Sequence, residues 1–172
     1  MDVAAVLLDA FGRVRQTVHD AVDGLTAGQL AVPEDGRTNS IAWLVWHLTR
    51  VQDDHLAQAF STDQVWTTEG WAERFELPFD AAATGYGQDA HDVSALAGVT
   101  SELLLGYHDA VHARTVEHLA TVTAEQLDRV VDEGWDPPVT LGVRLVSVLS
   151  DDLQHAGQAG YLRGVVTQAD AG

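Results

Sequence analysis

The sequence predicts an all-α protein built as a four-helix bundle in up-down-down-up order. Three observations carry that expectation. Four stretches of about twenty residues repeat apolar side chains at three- and four-residue steps. Strand-like alternation is nearly missing, with VVDEGW at 130–135 the one weak candidate. About forty residues separate the second and third helical stretches, enough to cross a bundle rather than turn tightly. Four helices with one apolar stripe each close a single core, and 172 residues suit one domain.

The first helix starts at Asp2, whose carboxylate suits the free N–H groups of a first turn. Val3, Val6, Leu7, Phe11, Val14 and Val18 form its stripe, and Gly24 stops it after Asp23. The second opens at Asn39 or Ser40 and runs through IAWLVWHLTRVQDDHLAQAF to Phe60. The third spans about Thr100 to Val122. The fourth follows Pro137 and Pro138, takes Thr140 as its cap and continues to about Val166. Between the second and third, Pro78, Gly85, Gly87 and the aromatic run WTTEGWAERF predict a short helix near Glu69–Phe75 on the outside of the bundle. TAEQL at 123–127 reads as one capped helical turn. Residues 1–166 are expected as the domain and 167–172 as a flexible tail.

Composition narrows the chemistry. There are 26 acidic residues against 9 basic ones, all arginine, for a formal charge of -17. Such a surface repels phosphate backbones and anionic membranes, so neither nucleic acid nor membrane is an expected partner. It also raises the local concentration of cations. Cysteine is absent, which removes disulfides, thiolate nucleophiles and sulfur-ligated metal sites together. Any metal must be held by nitrogen and oxygen. The N-terminal residues lack the basic stretch of a secretory signal, and no run approaches the ~20 apolar residues of a membrane span. A cytoplasmic location follows as the expectation.

Eight histidines without cysteine direct attention to metal or acid–base work. Residues four apart on a helix share a face, so both can reach one ion. Asp151 with His155, and His108 with His112, have that spacing. Val148, Ala159 and Leu162 place the first pair at the rim of the core, where an uncompensated carboxylate is costly. His47, in the apolar run IAWLVWHL, supplies a third nitrogen from a facing helix. Spacing alone leaves other readings open. His47 can be a core histidine satisfied by backbone, Asp151 and His155 a helix-stabilising pair, and Asp152 the acting carboxylate in place of Asp151. Asp109 beside His108 and His112 marks that pair as solvated helix surface. His19, His91 and His118 show no partner by spacing, while His55 and Asp54 lie two turns past His47, at the mouth of a site.

Trp43, Leu44, His47 and Leu48, followed by Asp151, His155, Gly157, Gln158 and Arg163, form an ordered set that resembles the DinB-like superfamily. That group includes YfiT-type hydrolase-like proteins and the N-terminal domain of mycothiol-dependent maleylpyruvate isomerases. TGYGQ at Thr84–Gln88 is similar to a loop of actinobacterial members, and the similarity runs from the first helix to about Val166.

The resemblance implies a divalent ion, zinc or nickel, held by His47, Asp151 and His155. The family usually has histidine, or glutamate in the mycothiol branch, where this chain has the shorter Asp151. Three ligands leave a coordination position open, the mark of a catalytic rather than a structural site. Relatives use such an ion on a low-molecular-weight thiol, mycothiol or bacillithiol, which then attacks a small electrophile. A cysteine-free chain would take its sulfur from that co-substrate, and a lysine-free, arginine-rich composition fits a GC-rich genome and hence mycothiol. Gln158 is the candidate donor behind His155. Arg144 and Arg163 are the candidate cofactor-binding cations, set to meet a carboxylate. Trp43, Trp46 and Tyr161 either wall the pocket or belong to the core. The expected activity is a metal-dependent thiol S-transferase or isomerase of detoxification type. A hydrolase using activated water and a non-catalytic binding bundle are the alternatives. Relatives pair through helix faces, which implies a homodimer.

Overall fold

A computed structural model describes residues 2–33 and 39–169. Four long helices carry the fold: α1 (Val3–Val22), α3 (Ile41–Phe60), α7 (Ser101–Leu119) and α8 (Leu141–Ala169). Each of the first three starts on a side-chain cap. Asp2 accepts from Ala5 N at 2.8 Å, Ser40 from Trp43 N at 3.2 Å and Thr100 from Leu103 N at 3.3 Å. Ser61 ends α3 in the left-handed region.

Cross-helix partners give the order. The C-terminus of α1 meets Arg163, so α1 runs alongside α8. His47 faces His155 and His55 meets Arg144, so α3 runs opposite to α8. Thr49 meets His108 and Phe60 stacks on His118, so α3 and α7 share one direction. The result is the up-down-down-up bundle, with α1 packed on α7 and α8, and α3 packed on the same two.

The connections contain more structure than expected. α2 (Ala27–Ala31) carries a capping box of Thr26 and Gln29, and α6 (Ala90–Ser94) carries one of Asp89 and Asp92. The aromatic stretch forms α4 (Val65–Thr68) and α5 (Trp71–Phe75) rather than one helix. Residues Glu125–Asp128 form a single 3₁₀ turn. The weak strand candidate supplies β1 (Val130–Asp132), which pairs antiparallel with β2 (Val139–Thr140). α8 continues beyond Val166, so residues 167–169, expected in a tail, are helical; 170–172 lie outside the described residues.

The core falls into two apolar clusters. The larger gathers Trp43, Trp46, Trp66, Trp71 and Tyr107, and the smaller gathers Phe11, Leu56, Leu119, Leu141 and Leu145. Two buried polar residues of α3 fasten the crossover between α3 and α7. Arg50, fully buried, donates to the carbonyls of Ala81 and Ala83 and to Gln64 Oε1. Asp53 accepts from Val65 N, Trp66 N and Tyr107 Oη–H at 2.7–2.9 Å. Buried charge survives here because each group is answered by several hydrogen bonds. No helix among the described residues is long and apolar enough to cross a membrane.

Candidate metal centre

His47 sits midway along α3 with 7% of its surface exposed. Its Nδ1–H donates to the main-chain carbonyl of Thr84 in the crossover. The lone pair therefore resides on Nε2. On α8, His155 Nδ1–H donates to Gln158 Oε1 at 3.2 Å, and its Nε2 faces Asp151 Oδ1 at 3.5 Å. Gln158 acts here through its carbonyl oxygen, as acceptor rather than donor. The rings of His47 and His155 stand 4.9 Å apart at 73°. One donor atom from each of His47, Asp151 and His155 lies within 4.8 Å of the other two.

This set fits a divalent cation. Donors around a tetrahedral ion at 2.0–2.2 Å sit about 3.4 Å apart, so small side-chain adjustments close the cluster. Asp151 Oδ2 is buried without a hydrogen-bond partner, while Oδ1 of the same carboxylate faces His155 Nε2. Both imidazoles have the far nitrogen tied to an oxygen, the arrangement that orients histidine ligands.

Electrostatics adds to this. Burial lowers the pKa of His47, with the Thr84 carbonyl opposing and the neighbouring His155 reinforcing the shift. Burial pushes Asp151 upward, but its hydrogen bond to His155 and the nearby histidines outweigh it and the net shift is down. His155 is raised, chiefly by the hydrogen bond to Asp151, against the effect of burial. These shifts favour the ligand forms of His47 and Asp151, while the rise at His155 opposes loss of its proton to a cation.

The Thr84–Gln88 loop is built against this site. A Cβ on Gly85 would stand 2.5 Å from His47 Nδ1 and 3.1 Å from the rings of Trp43 and Trp46. Gly85 also holds φ +99, a conformation glycine adopts without strain. Trp43 Nε1–H donates to Gln88 Oε1 at 2.7 Å, and its ring lies 4.5 Å from His47 at 18°. Trp43 is therefore a wall of the site, whereas Trp46 belongs to the core, packed on Trp66 and Phe79. Tyr161 is exposed on α8. A groove of about 650 Å³ runs along α8 past Val143, Val146, Ser147, Ser150 and Gln154 and opens on Asp151.

The remaining candidates take different places. Asp152 is completely buried, with neither carboxylate oxygen hydrogen-bonded, and lies outside the three-residue cluster. Arg144, mostly buried, donates to Asp132 Oδ2 at 2.7 Å and to His55 Nδ1 at 3.0 Å. Arg163 donates to the carbonyls of Ala21 and Asp23, closing the C-terminal end of α1. His108 corrects the expectation of a solvated surface pair: it is 1% exposed, with Nδ1 on Thr49 Oγ1. Burial above all drives its pKa down to about 3. His112 is partly buried on the same flank. His19 and His118 do have partners, Asp109 and Phe60, contributed by other helices.

An up-down-down-up bundle in which two histidines and a carboxylate converge between α3 and α8 has the architecture and donor set of a DinB-like protein. The chain belongs to the mycothiol-S-transferase family, whose profile matches residues 6–168. Among curated proteins, none is similar enough to count as a match. The structure is similar to the crystal structure of a conserved protein from Enterococcus faecalis, with a TM-score of 0.89 and 28% identity. That likeness covers 98% of this chain and 99% of the other.

Proposed function

We propose that this chain is a divalent-metal-dependent S-transferase that joins mycothiol to a small electrophile in the cytoplasm. The convergence of His47, Asp151 and His155 donors beside an unpartnered carboxylate oxygen is the observation that carries the reading. Family membership supports the thiol.

His47 and His155 would hold the ion through Nε2 and Asp151 through its carboxylate, with zinc the first choice and nickel the second. A bound divalent ion supplies Lewis acidity, which lowers the pKa of a thiol presented to it. Asp151 offsets part of the positive charge. Thr84 and Gln158 keep both imidazoles aimed at the centre, and the Trp43 ring shields His47 from water. The thiol releases its proton to solvent water, its sulfur forms a bond to the electrophilic carbon, and the leaving group departs with the electron pair of the broken bond. The groove beside Asp151, with Val143 and Val146 among its lining residues, suits the apolar part of the electrophile. Arg144 supports the co-substrate's side of the site through His55.

The test is turnover of monobromobimane by zinc-loaded protein with mycothiol, against protein with water alone. Mycothiol-dependent conjugation is the expected result. Turnover of electrophilic esters without thiol would move the assignment to hydrolysis.

A further inference from the structure

Arginine can only donate hydrogen bonds, so the 3.0 Å contact from Arg144 Nη1 makes His55 Nδ1 an acceptor. The proton of the neutral ring then resides on Nε2. Asp132, at the end of β1, holds Arg144 in that role through a 2.7 Å ion pair. Burial and then the Arg144 charge lower the pKa of His55, against the pull of Asp54, Asp151 and Asp132. A neutral ring in this tautomer has no free lone pair. It is neither a metal ligand nor a base; it is a donor. With 37% of the side chain exposed and Nδ1 covered by Arg144, the open edge of the ring carries Nε2–H.

The position of this donor relative to the metal centre follows from helix geometry. Arg144 is seven residues before Asp151 on the same face of α8, about 10 Å along the axis. His55 is eight residues after His47 on α3, about 12 Å along. A ligand that touches both stations is therefore extended rather than compact. Its distal group is also uncharged. Asp54 lies beside the ring, Arg144 is already paired with Asp132, and the chain as a whole carries -17. A carboxylate or phosphate would be repelled there, whereas a hydroxyl or amide oxygen fits.

Building on the thiol-transferase reading above, we propose that His55 Nε2–H binds a neutral oxygen on the body of the co-substrate, about 10–12 Å from the reacting sulfur. His55 is thus the residue that selects a long, polyhydroxylated thiol over a short one. The Asp132–Arg144 pair is its positioning device, fixing the tautomer.

Calorimetric titration of zinc-loaded protein with mycothiol, and with N-acetylcysteine, which has the thiol without the sugar body, tests this. His55→Phe should weaken mycothiol binding about tenfold, in line with loss of one hydrogen bond. It should leave N-acetylcysteine binding and zinc content unchanged. His55→Gln, which retains an N–H near the position of Nε2, should restore mycothiol binding to within threefold. Equal weakening of both thiols, or no weakening of either, would overturn the role of His55 while leaving the transferase reading standing. Wild-type protein that binds no mycothiol would overturn both. Nitrogen-15 spectra of the histidine rings give a readout independent of any variant: the proton on Nε2 is expected, and a proton on Nδ1 alone would sink the proposal.

Discussion

Trp43 and His47 lie ring over ring, 4.5 Å apart and 18° from parallel, one helical turn apart on α3. The indole is thus in contact with an imidazole whose other nitrogen faces the candidate metal centre. Zinc titration should change the tryptophan fluorescence of the wild-type protein. In Trp43→Phe most of that change should vanish, although four tryptophans of the five remain. An unchanged response in the variant would show that the ion settles elsewhere.

Metal content separates ligands from bystanders. His47→Ala and His155→Ala should each remove most bound zinc, measured by mass spectrometry after gel filtration. Far-UV circular dichroism should stay unchanged, because the two apolar clusters supply the folding energy. Asp151→Glu should tighten binding, since an extra methylene brings the carboxylate into a cluster whose donors are spread by as much as 4.8 Å.

Gly85→Ala places a methyl group where His47 Nδ1 and two indoles already sit, in a backbone conformation strained for alanine. Displacement of the loop should cost on the order of 2 kcal/mol in urea unfolding. Loss of the Thr84 contact should lower zinc affinity by about ten- to a hundredfold, the usual penalty for losing a partner that orients a ligand. Wild-type affinity in this variant would mean that the loop does not aim His47.

His108 sets an acid limit on stability. Its folded pKa of about 3 lies below the unfolded value of 6.5, so the unfolded chain binds more protons between those limits. Its stabilising contribution is complete above pH 6.5 and is lost as pH falls toward 3, at up to about 1.4 kcal/mol per pH unit. Other groups titrate in the same range, so the informative quantity is the difference from His108→Leu. Wild type should lose stability faster than the variant between pH 6.5 and 4 in urea melts.

Arg163→Ala removes the donor that holds the carbonyls of Ala21 and Asp23. A loss of about 1–2 kcal/mol in stability is expected, with mycothiol binding unaltered. Reduced thiol affinity would restore Arg163 to the binding site.

The bundle was legible because its helices announce themselves twice, through apolar spacing and through Asp2, Ser40 and Thr140 as caps. The convergence of His47, Asp151 and His155 was legible for a related reason: two share a helix face and the third breaks an apolar run. Partners that arise only across helices were not. The buried state of His108 depends on Thr49 of α3, and the pairing of His19 depends on Asp109 of α7, neither visible from spacing along one helix. Arg163 looked like a free cation because the carbonyls it meets belong to α1. The orienting role of Thr84 left a clearer trace, since Gly85 and Gly87 flank one residue and both adopt positive φ. Two glycines so close in an aromatic-rich connection signal a backbone that must approach something, and here that something is His47.

His47 takes its orientation from a carbonyl 37 residues further along the chain, in a connection that Arg50 and Asp53 pull onto α3. An unfinished polypeptide therefore lacks a competent cage even after α3 has formed. The three donors therefore meet only once α8 has packed against α3.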